Sequence, residues 1–406
     1  MELTYTLPAA EFDVRRSRAL IAGGVGLAAC AIGYFVDPSQ FFRAWLIAYL
    51  LFLGITLGSL AMVMIQHLSG GQWAIFRRIF EASSRTIPLL VVLFIPIVLG
   101  MHELYPWTHA ELVREDHILQ SKALYLNMPF FLVRAAIYFG SWWALSAVLN
   151  RLSLRQDAGD PSVNLPLQRV SGGGLVLYAL TVTFAGIDWI MSLNPHWYST
   201  LFGFLMMGGQ GLAALSFTVV IAALLLPREP TEGWLKPSHF HDLGKLMFAF
   251  VMLWAYFNFS QYLLTYAANL QEEVPYMVVR SSNGWQYLAL FLVGFHFFVP
   301  WFLLLSRDRK RNARRLTLVA VWLLFMRFAD LYMMVSPEFA ATGGNLHALP
   351  GEEHVSHFFV HWLDLAAPLA IGGLWLWMFF SQLGRRPLMA IGDPYLREAL
   401  QSGGGH

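Results

Sequence analysis

The feature that most constrains this chain is a series of ten apolar segments, each long enough to cross a lipid bilayer as a helix. About 20 apolar residues span the hydrocarbon core in helical form. The segments lie at 19–36, 44–66, 84–101, 129–150, 172–193, 198–226, 245–268, 285–305, 315–335 and 357–383. Only 13% of the 406 residues are charged, whereas about 25% are charged in a soluble domain. The sequence therefore predicts an all-α polytopic membrane protein.

The distribution of basic residues predicts the orientation of the ten spans. Counted loop by loop, 21 of the 27 Lys and Arg residues fall on one side of the membrane and four on the other, and Arg134 and Arg327 lie within spans. Because cytoplasmic loops are enriched in Lys and Arg, we expect a bacterial cytoplasmic membrane protein with both termini in the cytoplasm. The amphipathic stretch at 73–86 is expected to begin span three or to lie along the membrane surface.

Cysteine and histidine usage argues against metal chemistry in the chain itself. Cys30 is the one cysteine, so an internal disulfide, an iron–sulfur cluster and a Cys-based zinc site are excluded. Two loops opposite the termini are rich in histidine without ligand spacing, which indicates solvated loops rather than metal sites. These histidines are His102, His109 and His117, and His347, His354 and His357. We expect no nucleic-acid partner.

Two spans end in the same sequence pattern. The sequence "DWIMSLNP" starts at Asp188 in span five, and "DLYMMVSP" starts at Asp330 in span nine. Both place Met three residues and Pro seven residues after the aspartate, and both spans run in the same direction. The match predicts a parallel repeat of two four-helix bundles, spans 2–5 and 6–9, flanked by spans one and ten. The corresponding segments of the chain are 1–43, 44–193, 194–335 and 336–406.

Few ionisable side chains lie at bilayer depth. A charge there costs about 2.5–3.5 kcal/mol on insertion scales and usually has a partner. Asp and His are the residue types that relay protons, because burial moves their pKa values towards neutrality. The candidates for proton transfer are Asp188, Asp330, Arg327, His296, Asp364, His361 and Glu81. Together they suggest a polar site opposite the termini, with a proton path leading towards Glu81.

These candidates also have structural interpretations. Arg327 and Asp330 are three residues apart on one helix face, so they can form an ion pair that only holds helices together. His361 and Asp364 have the same spacing and can be interfacial residues at the start of span ten. Asp188 has no charged neighbour three or four residues away. We therefore expect Asp188 to titrate and Asp330 to remain paired.

Span seven carries polar side chains in the otherwise apolar stretch "FNFSQYLLTYAAN". Tyr262 and Tyr266 share a helix face at a spacing of four residues, and Gln261 is adjacent in sequence. With Arg134 of span four, these side chains can bind a polar-headed aromatic ligand such as a quinone. The alternative is that they are ordinary polar contacts between helices.

The residue types allow quinol chemistry only with partner proteins. Quinol oxidation needs an apolar slot, hydrogen-bond partners, a base for each proton and an electron acceptor, and the sequence offers no acceptor. A bis-His haem is disfavoured because His296 is central in its span while His361 is nearer the surface. His296 also fits an ordinary core histidine among aromatic neighbours. A flavin or nicotinamide would need a soluble domain, so any redox cofactor is expected in partner subunits.

Two stretches carry a family resemblance. "FAGIDWIMSLNPHWYSTLFGFLMMGGQ" (184–210) and "LWAYFNFSQYLLTYAANLQEEVPYMVVR" (253–280) resemble the F-subunit family of bacterial alternative complex III. That family belongs to the NrfD-like, polysulfide-reductase-type membrane proteins, and the resemblance covers essentially all ten spans. It implies two four-helix bundles and a place in a quinol:electron-acceptor oxidoreductase of the respiratory chain.

The resemblance also implies partners. These are an iron–sulfur subunit, multihaem and monohaem cytochrome c subunits and a paralogous NrfD-like membrane subunit, with electrons passing to a periplasmic carrier or directly to a terminal oxidase. The chain is then expected to hold no redox cofactor and to catalyse nothing alone. It would contribute a quinol pocket, proton-conducting residues or an interface, since the paralogous subunit is implied to lie nearer the iron–sulfur chain. A secondary transporter and a structural scaffold are the alternatives.

Overall fold

The computed structural model describes residues 9–225, 235–271, 273–339 and 356–401. Ten helical spans in these ranges are long and apolar enough to cross a membrane, which confirms an all-α polytopic membrane protein. Their bounds are Phe12–Val36, Pro38–Ser69, Trp73–Leu99, Met128–Asp157, Pro161–Leu193, Phe202–Leu225, Pro237–Ala268, Trp285–Leu305, Ala313–Glu338 and Leu363–Leu383. Ten crossings return the chain to one face, here called the terminal face; the other is called the opposite face.

Shorter helices connect the spans. At the opposite face Ala110–Glu115 and His117–Lys122 lie between spans three and four, and Val274–Arg280 precedes span eight. At the terminal face Arg307–Arg311 joins spans eight and nine, and Leu396–Gln401 follows span ten. These helices cover the ends of the bundle.

Spans two and six form the centre of the molecule. In their most apolar windows 89% and 83% of the residues are buried, compared with 22% for spans one and eight. The two central helices touch at Gly58, where a Cβ atom would lie 2.1 Å from the carbonyl oxygen of Gln210. Only a glycine permits this backbone approach, as in other close helix pairs of membrane proteins.

Each central helix is the first member of one four-helix unit. Span two packs against spans three and five, and span four closes that unit against spans three and five. Span six packs against spans seven and nine, and span eight closes the second unit against spans seven and nine. Spans one and ten pack along each other and against span two. Gly373 makes this flanking pair possible, since a Cβ atom there would lie 2.2 Å from the backbone nitrogen of Gly23.

Several span boundaries differ from those predicted by hydropathy, among them the starts of spans two and ten. Span two begins at Pro38 rather than 44, because the Asp37 carboxylate accepts a hydrogen bond from the Gln40 amide at 3.0 Å and proline is favoured at the first helical position. Arg43, which the sequence placed in a loop, is therefore inside span two and fully buried. Span ten begins at Leu363 rather than 357.

Span three begins earlier than its apolar core. It starts at Trp73 and consists of the helices Arg77–Ser84, Ile87–Leu93 and Ile95–Leu99. Every residue of Arg77–Ser84 is buried, which favours the expectation that this stretch begins span three over the alternative that it lies along the membrane surface. Its charged side chains are bonded inside the protein, which hydropathy alone cannot foresee.

Candidate functional site

Asp188, fully buried near the end of span five, is held by two side chains of span four. Arg134 Nε donates to Asp188 Oδ2 at 2.8 Å and Nη2 donates to Oδ1 at 3.0 Å, a bidentate arrangement. The Tyr138 hydroxyl donates to the same Oδ2 at 2.8 Å. The sequence shows no charged neighbour of Asp188 within four residues on its own helix, and the structure adds a charged partner on the preceding span.

Arg134 is itself fixed by the segment that leads into span four. Its Nη1 donates to the Tyr125 carbonyl at 2.9 Å, and its guanidinium lies over the rings of Tyr125 at 3.8 Å and Phe130 at 4.4 Å. These contacts offset the cost of taking the charge out of water. A ligand bound by Arg134, as the sequence predicts, would therefore compete with the Asp188 carboxylate and the Tyr125 carbonyl, which already bond its guanidinium.

Span four carries a stripe of buried polar groups at four-residue spacing. The stripe consists of Arg134, Tyr138, Trp142, Ser146 and Asn150. Successive members are neighbours because residues four apart are about one turn apart, and the stripe winds gradually around the helix, by about 40° per step. The Trp142 indole donates to Thr181 Oγ1 of span five at 2.8 Å. Five polar side chains of span four thus line the interior of the first unit, and the first two of them bond to Asp188 of span five.

The terminal half of the stripe joins span three and the segment after span ten. Ser146 Oγ lies 3.1 Å from Ser84 Oγ, and the Asn150 amide donates to Ser84 Oγ at 3.2 Å. Arg386 Nη1 donates to Asn150 Oδ1 at 2.8 Å and lies 3.6 Å from Glu81 Oε2. The polar contacts therefore continue to the last carboxylate of the predicted path.

Glu81 is the centre of a buried ion cluster. It accepts hydrogen bonds from Arg77 Nε at 2.8 Å, Arg78 Nη1 at 2.5 Å and Ser153 Oγ at 2.7 Å. Arg77 also donates to Asp393 Oδ2 at 2.9 Å, which ties the chain after span ten to span three. Glu81 is thus a bonded carboxylate at the end of the stripe.

The second unit carries a smaller charged cluster. Arg327 Nη1 donates to Asp330 Oδ2 on the same helix, and both side chains are nearly fully buried. The guanidinium rests on span six at Gly209, where a Cβ atom would lie 2.2 Å from Arg327 Cζ. The ion pair that the spacing predicts is therefore present, and it depends on a glycine of another span.

His296 lies near this pair in a π-helical segment of span eight, Val293–Phe298. Its ring is fully buried and stacks on Trp254 with centroids 4.2 Å apart. Neither ring nitrogen has a hydrogen-bond partner among the residues that the structure describes. Such a group is costly to bury, and π-helical turns occur often at functional sites.

Asp364 lies inside the protein between span ten and span two. Gln40 Nε2 donates to its Oδ1 at 3.2 Å, and Arg43 Nη2 lies 3.5 Å from Oδ2. The His361 amide donates to Oδ2 at 2.8 Å, so the carboxylate caps the start of span ten, while the His361 ring is partly exposed. Asp364 therefore joins span ten to span two through Gln40 and Arg43, while an interfacial position of His361 stays a prediction.

Gln261 and the two tyrosines of span seven face different directions. Gln261 is buried, accepts a hydrogen bond from Ser199 and donates to Thr265 Oγ1 at 3.3 Å. Tyr262 and Tyr266 are mostly exposed, with ring centroids 6.0 Å apart, and line a surface groove of about 460 Å³. Neither Gln261 nor Arg134 lines that groove. The prediction that these four residues form one quinone pocket is therefore wrong.

The described part of the chain contains no candidate metal site, that is, no group of three or more His, Cys, Asp or Glu side chains that could hold a metal ion. The His102 and His109 rings stack with centroids 3.8 Å apart, and His109 Nε2 lies 2.8 Å from the His102 carbonyl oxygen. His347 and His354 lie outside the described residues.

Sequence reasoning missed Tyr138, Ser146, Asn150 and Arg43. The first three carry a detectable signal, since a four-residue spacing of polar side chains beginning at Arg134 marks one face of span four. Arg43 carries none, because a charge at the edge of an apolar segment is read as a loop residue.

No family model matches the sequence. No curated protein matches it significantly. The function is therefore inferred from the arrangement of the residues and from the two sequence stretches that carry the resemblance.

Proposed function

We propose that the chain is the F-type, NrfD-like membrane subunit of a bacterial quinol:electron-acceptor oxidoreductase, alternative complex III, and conducts protons through its first four-helix unit. It would lie in the cytoplasmic membrane with the terminal face towards the cytoplasm, where most Lys and Arg residues fall. The stretches 184–210 and 253–280 support this assignment by their resemblance to that family.

The observation that carries the proposal is the polar stripe of span four. Buried hydroxyl, amide and carboxylate groups lie along span four between Asp188 and Glu81, inside a unit that spans the bilayer. Burying a polar group at this depth costs free energy, so such groups usually mark a functional site. No hydrogen bond among the described residues joins Tyr138 to Trp142 or Trp142 to Ser146, since Tyr138 donates to Asp188 and the Trp142 indole donates to Thr181. Each of these two gaps is one helical turn, or about 6 Å. An indole donates but cannot accept a proton, so a bridging water would be needed at both gaps.

Redox cofactors would belong to the partners. We expect an iron–sulfur subunit, multihaem and monohaem cytochrome c subunits and a paralogous membrane subunit, with a periplasmic carrier or a terminal oxidase taking the electrons. This chain would supply proton conduction and an interface within the complex. Copurification of the tagged chain with haem-containing proteins tests the assignment, and isolation of a fully functional, haem-free homo-oligomer would contradict it.

A groove beside Asp188 favours quinol binding as a second candidate. It has a volume of about 400 Å³ and lies between Lys122–Leu126 and Met191–Thr200 at the opposite face. Most of its lining is apolar, and Tyr125 faces it. Burial and the charge of Asp188 raise the pKa of Tyr125, so its hydroxyl remains a hydrogen-bond donor at neutral pH. Such a slot fits a quinol head group.

A matched pair of asparagine substitutions tests proton conduction. Asn150 in the stripe and Asn258 in the second unit each donate to the carbonyl four residues earlier, both at 2.9 Å. Asn150→Leu is expected to reduce proton transfer by about tenfold, less than the roughly 10²–10⁴-fold that a general acid or base contributes, because an amide orients the path but is not itself an acid or base. Asn258→Leu should leave it unchanged. Proton uptake is measured with a pH-sensitive dye in vesicles containing the intact complex during turnover.

The alternatives give different results in the same vesicles. A scaffold predicts normal proton uptake for both variants at normal assembly. A secondary transporter predicts solute flux by the chain alone without any redox partner. Equal loss in both variants would also contradict a path confined to the first unit.

A further inference from the structure

A groove at the terminal face combines arginine side chains with an apolar wall. It lies between spans three, four and ten and has a volume of about 370 Å³. We call it the arginine groove, and its lining includes Arg85, Arg151 and Arg386 together with Pro88, Trp143 and Leu154. None of its lining residues is acidic. The groove therefore offers positive charge and apolar surface side by side.

The depth of the groove matches the head-group level of a bilayer. Arg151 follows Met128, the first residue of span four, by 23 residues, or about 34 Å of helix, just beyond a hydrocarbon core of about 30 Å. Span ten ends at Leu383, close to Arg386. Trp143, two turns before Arg151, is 57% exposed, as is usual for tryptophan near the membrane interface. The apolar wall therefore extends from the arginines towards the acyl chains.

The positive charge of the groove is only partly compensated within the protein. Glu81 lies 3.6 Å from Arg386 but is bonded more closely to Arg77 and Arg78. Burial and the neighbouring Arg78 and Arg77 lower the pKa of Arg386, although Glu81 and Asp157 oppose this. The site is therefore short of negative charge.

Arg85 also retains unused bonding capacity. Its Nη2 donates to the Gln382 carbonyl at 2.8 Å, while its buried Nε finds no acceptor among the described residues. A phosphate oxygen is the type of acceptor that a guanidinium binds best. Arg151 is exposed and stands at the opposite wall of the same groove.

We propose that the arginine groove binds the phosphate of an anionic phospholipid, with Arg85, Arg151 and Arg386 around the head group and the acyl chains against Pro88 and Trp143. Basic pockets between membrane helices at the cytoplasmic side bind such head groups. A free phosphate would use the same arginines but not the apolar wall. The site adjoins the terminal end of the proposed proton path, because Ser146, Asn150 and Arg386 belong to both. It does not depend on the redox assignment.

Native mass spectrometry of the full-length protein in neutral detergent tests the proposal. The protein is titrated with cardiolipin, phosphatidylglycerol or phosphatidylcholine, and separately with inorganic phosphate as competitor. We expect retention of the two anionic lipids over phosphatidylcholine. Arg151→Gln should weaken that retention by about fivefold, the effect of one arginine near an anionic surface. Arg169→Gln, which removes an exposed arginine of span five outside the groove, should leave it unchanged.

Because Arg151 is exposed, the Arg151→Gln protein is expected to fold normally. A thermal unfolding curve of this variant checks that expectation. Equal retention of anionic and neutral lipids would overturn the proposal, as would equal losses in the Arg151 and Arg169 variants. Displacement of the lipid by millimolar inorganic phosphate would assign the groove to free phosphate instead. Retention that resists phosphate and falls only in the Arg151 variant supports a phospholipid site.

Discussion

The two four-helix units place an aspartate at the same end of corresponding spans but bond it differently. Asp188 receives Arg134 and Tyr138 from the preceding span, whereas Asp330 receives Arg327 from its own helix. The first unit continues as a polar stripe, and in the second His296 lies nearby without a hydrogen-bond partner among the described residues. A similar position in the fold is thus followed by a stripe of buried polar groups in one unit and holds an ion pair within a single helix in the other.

A short sequence match suggests how the difference arose. Span four contains Phe-Leu-Val-Arg at 131–134 and span eight contains Phe-Leu-Val-Gly at 291–294. In this alignment Gly294 stands where the first unit has Arg134, so Asp330 has no arginine on the preceding span and is paired from within its own helix. Gly294 also lies within the π-helical segment that carries His296.

The largest expected effects come from breaking the two ion pairs. Asp188→Leu and Asp330→Leu should each destabilise the protein by about 3–5 kcal/mol, because each leaves a buried arginine unpaired. The double substitution Arg327→Leu/Asp330→Leu should recover most of this loss. The double substitution Arg134→Leu/Asp188→Leu should recover about 1–3 kcal/mol less of its loss than this, because it leaves the buried Tyr138 hydroxyl without its acceptor. Unfolding of the purified protein in mixed detergent micelles measures all four, and equal recovery would contradict the difference between the units.

Removal of single polar groups should act with opposite sign in the two units. Tyr138→Phe deletes a hydrogen bond to a carboxylate and should destabilise the protein by about 1.5–3 kcal/mol. His296→Leu deletes a buried group without a described partner and should be neutral or stabilising by up to about 1 kcal/mol. The same unfolding assay tests both changes. A large loss for His296→Leu would mean that the ring has a partner in the assembled protein.

Two adjacent glycines of span six should respond differently to alanine. Gly209→Ala places a Cβ atom against Arg327 and should destabilise by about 1–3 kcal/mol through overpacking. Gly208→Ala meets its nearest atoms, of Phe257, at 3.7 Å, so it should gain up to about 1 kcal/mol of helix propensity. Thermal unfolding compares the two variants. A tolerated Gly209→Ala would show that the second ion pair can shift as a whole.

The smallest expected effect is the change in stability with pH of the segment between spans three and four, at the opposite face of the first unit. Asp116 caps the helix His117–Lys122 and lies 2.6 Å from His196 Nε2. Burial alone would raise the pKa of Asp116, but the Leu119 and Ile118 amides and His196 outweigh it and the pKa is lowered. The stabilisation is present above the unfolded value, about 3.9, and is lost as the pH falls through the lower folded value.

Hydrogen exchange at Ile118 and Leu119, corrected for intrinsic rates, measures this loss of the cap between pH 5 and pH 3. Asp116→Asn keeps a side-chain acceptor for the two amides but cannot titrate. The exchange of that variant should therefore be independent of pH in this range. A matching pH response in both proteins would exclude Asp116 as its source.

The spans were predictable because bilayer-long apolar runs leave few alternatives. Their boundaries were less predictable, because local chemistry extends some helices, as at Asp37 and Pro38, and others begin later than their apolar run, as span ten does. Pairs within one helix were also predictable, since a spacing of three residues defines the contact between Arg327 and Asp330. The Arg134–Asp188 pair was not, because its partners are 54 positions apart and only the packing of spans four and five joins them. The sequence therefore identified Asp188 as a carboxylate within a span but not the arginine that pairs with it.

The contact between Gly58 and Gln210 has a mechanical consequence. Helices that meet backbone to backbone cannot slide or tilt past each other without breaking the contact between them. The contact at Gly58 therefore fixes the two units relative to each other at the centre of the molecule. Alternating access by rocking of one repeat against the other would have to shear this contact. Motion that serves proton transfer is expected instead within a unit, as rearrangement of a few side chains and waters around Trp142.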